Sequence, residues 1–167
     1  MISGYQCTIQ VHVDDLKLSH LHQEELNKII DALNEVFGSD GDLLTESYGR
    51  IHDYLGMTID WTTEGIVVFT MYDYLEDILN EAPAEFDGED VTPAVSDLFT
   101  VNLTQRKLDT PTANFFHRIV AKVLYVAKQA RPDLQGAVAF LSKRVKCPNV
   151  GDWKKLGRLV QYVRATS

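Results

Sequence analysis

The chain has 167 residues, enough for one ordinary domain or two small ones, a hydrophobic share of 45% and a formal net charge of −8. No apolar run approaches the ~20 residues a membrane helix needs, no signal peptide is expected, and two distant cysteines, Cys7 and Cys147, suggest no disulfide framework and point to a reducing compartment. The charge is unevenly spread: residues 1–111 hold 22 Asp+Glu against 5 Lys+Arg, and residues 112–167 hold 11 Lys+Arg against 2 Asp+Glu. Such asymmetry leaves two readings open, mutual attraction between the halves or contact of the basic half with phosphate.

In chain order, residues 5–13 alternate imperfectly, with Cys7, Ile9, Val11 and Val13 on one side, which predicts a half-buried strand returned by residues 16–19. The run Val11-His12-Val13-Asp14-Asp15-Leu16 then sets two adjacent carboxylates at a hairpin tip. Like charges repel and each resists losing water; a divalent cation removes both penalties. Mg²⁺ is often held by one or two carboxylates plus substrate phosphates, and an ordinary polar turn is the alternative. His20 and His22, with His12 or Cys7, lack any recognised zinc spacing and read as surface histidines near a helix start.

Residues 22–37 read as an amphipathic helix with Leu26, Ile29, Ile30, Leu33 and Phe37 as core, ended by Gly38. Residues 43–47 suggest a short strand. Residues 54–61 and 66–71 read as a hairpin turned at Thr63-Glu64-Gly65, with Gly56 suiting a bulge or a close approach. A short acidic helix over 72–81 stops before Pro83, and residues 83–112 form a long loop, the best candidate for a mobile segment. Next comes a helix over 112–130, with Phe116, Ile119, Val120, Val123, Leu124 and Ala127 on its apolar face. Arg131-Pro132-Asp133 breaks it and starts another to about residue 145. Asn149 caps a last helix to residue 163, weakened by Gly151 and Gly157. Off the apolar stripes lie Lys122, Lys128, Arg131, Lys143, Arg144, Lys146, Lys154, Lys155, Arg158 and Arg164.

The aspartate-pair run resembles the Tyr-x-Asp-Asp hairpin of reverse transcriptases, with His12 where Tyr is usual. His52-Asp53-Tyr54-Leu55-Gly56-Met57-Thr58-Ile59 resembles the Leu-Gly segment opening the primer-grip hairpin, and Thr70-Met71-Tyr72-Asp73-Tyr74-Leu75 resembles the start of the first thumb helix. Ala121-Lys122-Val123-Leu124-Tyr125-Val126-Ala127, Arg131-Pro132-Asp133-Leu134, Ala139-Phe140-Leu141-Ser142 and the run from Trp153 to Val163 follow in order. Each match is weak alone; in register over nearly the whole chain they resemble the copia-type retrotransposon reverse transcriptase.

That resemblance implies an α+β fold. A partial polymerase palm of β-hairpins plus one helix, residues 1–71, precedes a helical thumb bundle, residues 72–167, with the long loop near 83–112. It implies Asp14 and Asp15 as catalytic, metal-binding residues for Mg²⁺ or Mn²⁺, expected to bind only with the complete active site. His12 and Val13 would lie near the primer end or nucleotide. Tyr54, Leu55, Gly56 and Met57 would form the primer grip, and Lys122, Lys128, Arg131, Lys154, Lys155 and Arg158 would meet the nucleic-acid backbone. The partners implied are an RNA or DNA template-primer and dNTP, with no membrane, and the fingers, first palm half and ribonuclease H portions of one polyprotein, which this chain is expected to lack. The setting implied is intracellular: cytoplasmic, in a virus-like particle, or nuclear. Because a third aspartate belongs to the missing part, the isolated chain is expected to be inactive. The alternatives are a non-enzymatic nucleic-acid-binding or interaction module using the basic helices, and a fragment with no folded role.

Overall fold

The structure is a computed structural model that describes residues 1–38 and 43–167. It is mixed α/β and divides into two compact units, Met1–Val68 and Phe69–Ser167.

The first unit opens with an antiparallel hairpin, β1 (Thr8–His12) and β2 (Asp15–Ser19), in register from Thr8↔Ser19 to His12↔Asp15. The expected half-burial of β1 fails: all five residues are exposed, and Ile9, Val11 and Val13 show 52%, 65% and 83% of their surface. Alternation gathers these apolar side chains on one face, but among the described residues they stay exposed.

α1 (Gln23–Phe37) closes where the Gly38 N–H donates to the Asn34 carbonyl at 2.8 Å. Its expected core stripe is only half-buried at Leu26, Ile29, Ile30 and Leu33, and Phe37 is exposed. Residues 43–47 are irregular rather than a strand. There the Leu44 N–H donates to the Asn34 side chain at 2.9 Å, a bond that satisfies the backbone without a ladder.

β3 (Ile51–Tyr54) and β4 (Met57–Asp60) form the second hairpin, paired from Ile51↔Asp60 to Tyr54↔Met57. The expected single strand over 54–61 is therefore broken at Leu55-Gly56. Both turn residues sit at positive φ, 54° and 71°, the pattern of the tight turn whose twist matches its strands. Leucine is a poor residue for such a turn, which hid the break from a propensity reading. Thr63-Glu64-Gly65 does turn the chain, the Ile66 N–H donating to the Thr63 carbonyl at 3.2 Å, and leads to β5 (Val68–Thr70), which straddles the division between the units.

The second unit is a helical bundle: α2 (Tyr72–Glu81), α3 (Thr110–Gln129), α4 (Gln135–Ser142) and α5 (Val150–Thr166). The Asp109 side chain caps α3 by accepting the Thr112 N–H at 3.0 Å. At α5 the capping box is complete: Asn149 accepts the Asp152 N–H at 3.0 Å while the Asp152 carboxylate accepts the Asn149 N–H at 2.9 Å. Asp152 is 2% exposed and also receives Arg144 at 3.1 Å, so one buried carboxylate ties the turn after α4 to the start of α5. Phe116, Ile119, Leu134, Leu141, Leu156 and Leu159 are fully buried, each contributing about 1.5–3 kcal/mol over an exposed side chain. α4 stops at Ser142, short of the expected residue 145.

Residues 83–109 are not a free loop. A 3₁₀ turn, Ala84–Phe86, buries Phe86 against Trp153, ring centroids 4.6 Å apart, and Leu98 is buried further on. A Cβ placed on Gly157 would lie 2.8 Å from the Phe86 ring, so the glycine that weakens α5 in propensity is what lets this ring dock. Among the described residues, no helix is long and apolar enough to cross a membrane.

Candidate functional site

The β1–β2 register leaves Val13 and Asp14 as a two-residue turn closed by the His12↔Asp15 pair. Val13 sits at φ 51°, a left-handed conformation that a β-branched side chain resists. Strain of this kind costs about 1–3 kcal/mol and clusters at functional sites. Asp14 and Asp15 are both exposed, and neither side-chain carboxylate has a hydrogen-bond or ion-pair partner among the described residues. Lys17, two residues on, does not neutralise them: its ammonium lies 4.2 Å from the centre of the Trp61 ring, and partial burial lowers its pKa.

Within this first unit a cleft of about 660 Å³ joins the two hairpins. Asp14, Asp15, Lys17, Arg50, His52, Asp53, Tyr54 and Trp61 line it, with Leu26, Ile30 and Leu33 of α1 as an apolar wall. The cleft brings together Asp14, Asp15 and Tyr54 of the residues expected in the site; His12, Val13, Leu55, Gly56 and Met57 do not line it. Leu55 and Gly56 form the β3–β4 turn, and Tyr54 and Met57 are the pair that closes it. Beside them the Thr58 hydroxyl donates to Asp53 across the strands at 2.7 Å. Tyr54 is 8% exposed, and its hydroxyl is buried without a partner. Lys17, Arg50 and Trp61 were missed by sequence reasoning; only the tight turn at Leu55-Gly56, had it been recognised, would have folded Arg50, His52 and Trp61 back to one end.

No group of three or more His, Cys, Asp or Glu side chains is arranged to hold a metal among the described residues. His20 is used otherwise: one ring nitrogen accepts the His22 N–H at 3.1 Å and the other lies 3.2 Å from the Ile2 carbonyl.

The cations expected on a nucleic-acid backbone fall into two sets. Lys122 pairs with Glu81 at 2.6 Å, and Arg131 pairs with Asp133 at 2.8 Å and reaches the Thr166 hydroxyl at 2.7 Å. Lys155 donates to the carbonyls of Leu98 and Thr100 at 2.9 and 2.6 Å, and Arg158 pairs with Asp90 at 2.6 Å. Lys128 and Lys154, together with Lys143 and Lys146, are exposed and have no ion-pair partner among the described residues. The second unit holds 13 Lys+Arg against 12 Asp+Glu, so much of its basic charge is answered locally by its own acidic half.

No protein-family model matches the chain, and no solved structure matches it. Two curated proteins do. An uncharacterised mitochondrial protein of Arabidopsis thaliana is 27% identical over 93% of this chain and 60% of its own length. A Saccharomyces cerevisiae protein named for the transposon Ty5-1 is 22% identical over 95% of this chain and 49% of its own. At low identity the chain is thus similar to an uncharacterised mitochondrial protein and to one that carries a transposon name, and it spans 60% and 49% of their lengths.

Proposed function

We propose that this chain is the palm, primer-grip and thumb portion of an RNA-directed DNA polymerase, a reverse transcriptase of the copia retrotransposon type. The observation that carries this reading is the β1–β2 tip, where two unpaired carboxylates follow a strained turn residue on the wall of a cleft shared with the second hairpin. Relationship to a transposon-named protein supports it.

The donor chemistry fits Mg²⁺ or Mn²⁺, which take oxygen ligands and are commonly held by one or two carboxylates and substrate phosphates. Asp14 and Asp15 would hold the ion, which when bound stabilises the attacking and leaving oxygens of phosphoryl transfer. The chain's own contribution is placement. The hairpin fixes both carboxylates, and the tight Leu55-Gly56 turn holds a primer backbone; positioning of this kind is worth several kcal/mol of barrier. With two carboxylates and, among the described residues, no third His, Cys, Asp or Glu side chain grouped with them to hold a metal, affinity is expected nearer millimolar than micromolar, as an order of magnitude.

The test is the transcript upstream of Met1 and the protein it encodes. The expected frame carries another aspartate in a strand context, and the joined protein extends a primer in a reaction lost in Asp14→Asn. An upstream frame without such an aspartate, or extension that survives Asp14→Asn, overturns the reading. A second reading, a non-catalytic nucleic-acid-binding module, is favoured by the unpaired Lys128, Lys143, Lys146 and Lys154. Its mark is salt-sensitive binding that survives Asp14→Asn and weakens when those lysines are neutralised.

A further inference from the structure

Along α5, Lys155, Arg158, Gln161 and Arg164 recur every three residues and form one slanting row on the helix surface. All four are taken by the connection before α3, which runs antiparallel to the helix. Arg164 reaches Asp87 at 3.3 Å, and Gln161 donates to the Asp87 carbonyl at 2.9 Å. Arg158 reaches Asp90 at 2.6 Å and the Thr92 hydroxyl at 3.0 Å, and Lys155 reaches the carbonyls of Leu98 and Thr100. What the row receives is a succession of carboxylate, hydroxyl and carbonyl oxygens spaced along the connection, much as a phosphate backbone offers a succession of acceptor oxygens.

The cover is incomplete. The Nε groups of Arg158 and Arg164 are buried with no hydrogen-bond partner, so each guanidinium keeps a donor that the connection does not satisfy. A cavity of about 620 Å³ remains, lined by Lys154, Lys155 and Arg158 and by Asp90 and Asp97 opposite. Among the described residues of the connection, the apolar side chains that are buried are Phe86 and Leu98, 3% and 8% exposed. Between them, Gly88 takes φ 110° and Val91 is 87% exposed, so residues 87–92 are held by partly exposed polar pairs, each a weak tie.

We propose that this acidic connection is a built-in mimic of a nucleic-acid backbone. It occupies the cationic row of α5 in cis, and nucleic acid gains Arg158 and Arg164 only as residues 87–92 lift away between the Phe86 and Leu98 anchors. The proposal rests on the reading of the second unit as a nucleic-acid-binding one.

The experiment measures binding of the full chain to a fluorescein-labelled DNA duplex with a single-stranded overhang, by anisotropy across a salt series. The wild type is compared with Asp87→Asn/Asp90→Asn and with the charge-matched Glu85→Gln/Glu89→Gln, which frees no arginine. Freeing two arginines is expected to tighten binding roughly tenfold at 0.1 M salt and to steepen the log–log salt slope by about 1.8, while the control pair changes little. Equal behaviour of the two double variants, with the wild type binding, overturns the mimic and leaves the nucleic-acid reading standing. Failure of all three proteins to bind at low salt overturns both. Hydrogen exchange on the wild type decides the matter if the aspartate variant does not fold. The Asp90 amide, which donates to the Gln161 carbonyl, should lose protection when DNA is added, and unchanged protection on bound protein overturns the proposal.

Discussion

Val13 is a single residue whose backbone and side chain pull in different directions. Its side chain is 83% exposed, so it stabilises little by packing, yet its backbone is held at φ 51°. Val13→Gly removes the Cβ that makes this conformation costly. The relief, less the entropy glycine adds to the unfolded chain, should raise stability by about 1 kcal/mol in urea unfolding. A loss of stability would show the turn to be unstrained. Nothing in the alternation of residues 5–13 signals the strain, because local hydropathy does not say which of two adjacent residues takes the left-handed position. The aspartate pair itself was legible, since it is a property of composition at a turn; the Lys17 contact with Trp61 was not, because it joins residues 44 positions apart through folding.

At the scale of elements, close contact between α5 and the 3₁₀ turn before it decides what each position tolerates. Gly157→Ala gains about 1 kcal/mol in helix propensity but drives a methyl into a buried ring. The expected net is a destabilisation of about 1–2 kcal/mol in urea, reversed to a gain when the same change is made in Phe86→Ala. A gain in both backgrounds would mean that the ring yields freely. The helices were the legible part of the fold: apolar spacing found α1 and α3, Pro83 marked the end of α2, and Asn149 marked the start of α5. The sheets were less so, because the β3–β4 turn uses leucine where its geometry favours Asn or Gly. The connection looked like a loop because its order comes from α5, and a single aspartate in a polar stretch carries no trace of the arginine it will meet.

For the molecule as a whole, stability is concentrated in the second unit. Of the buried apolar side chains among the described residues, only Tyr54 and Ile59 belong to the first. Much of the second unit's polar order rests on carboxylates held below their ordinary pKa: Glu81 by the Lys122 hydrogen bond and the nearby Arg118, Asp133 by the Arg131 hydrogen bond, Asp109 by its bonds to Thr112. For such groups the unfolded chain binds protons first as pH falls. Their contribution is therefore complete above the ordinary values, 4.5 for Glu and 3.8 for Asp, and is lost as acid passes through the lower folded ones. The urea midpoint should hold steady from neutral pH to about 5, then fall, and Glu81→Gln with Asp133→Asn should flatten that fall. A midpoint insensitive to acid in the unmodified chain would sink this account. The docking of Phe86 on Gly157 has a temporal consequence as well. It joins residues roughly seventy positions apart, so closing it waits on the helices between them. The acidic cover also precedes the arginines in the chain. On a translating ribosome, the aspartates are thus already made when the cations of α5 emerge, and they compete for those side chains amid ribosomal RNA from the first moment of exposure.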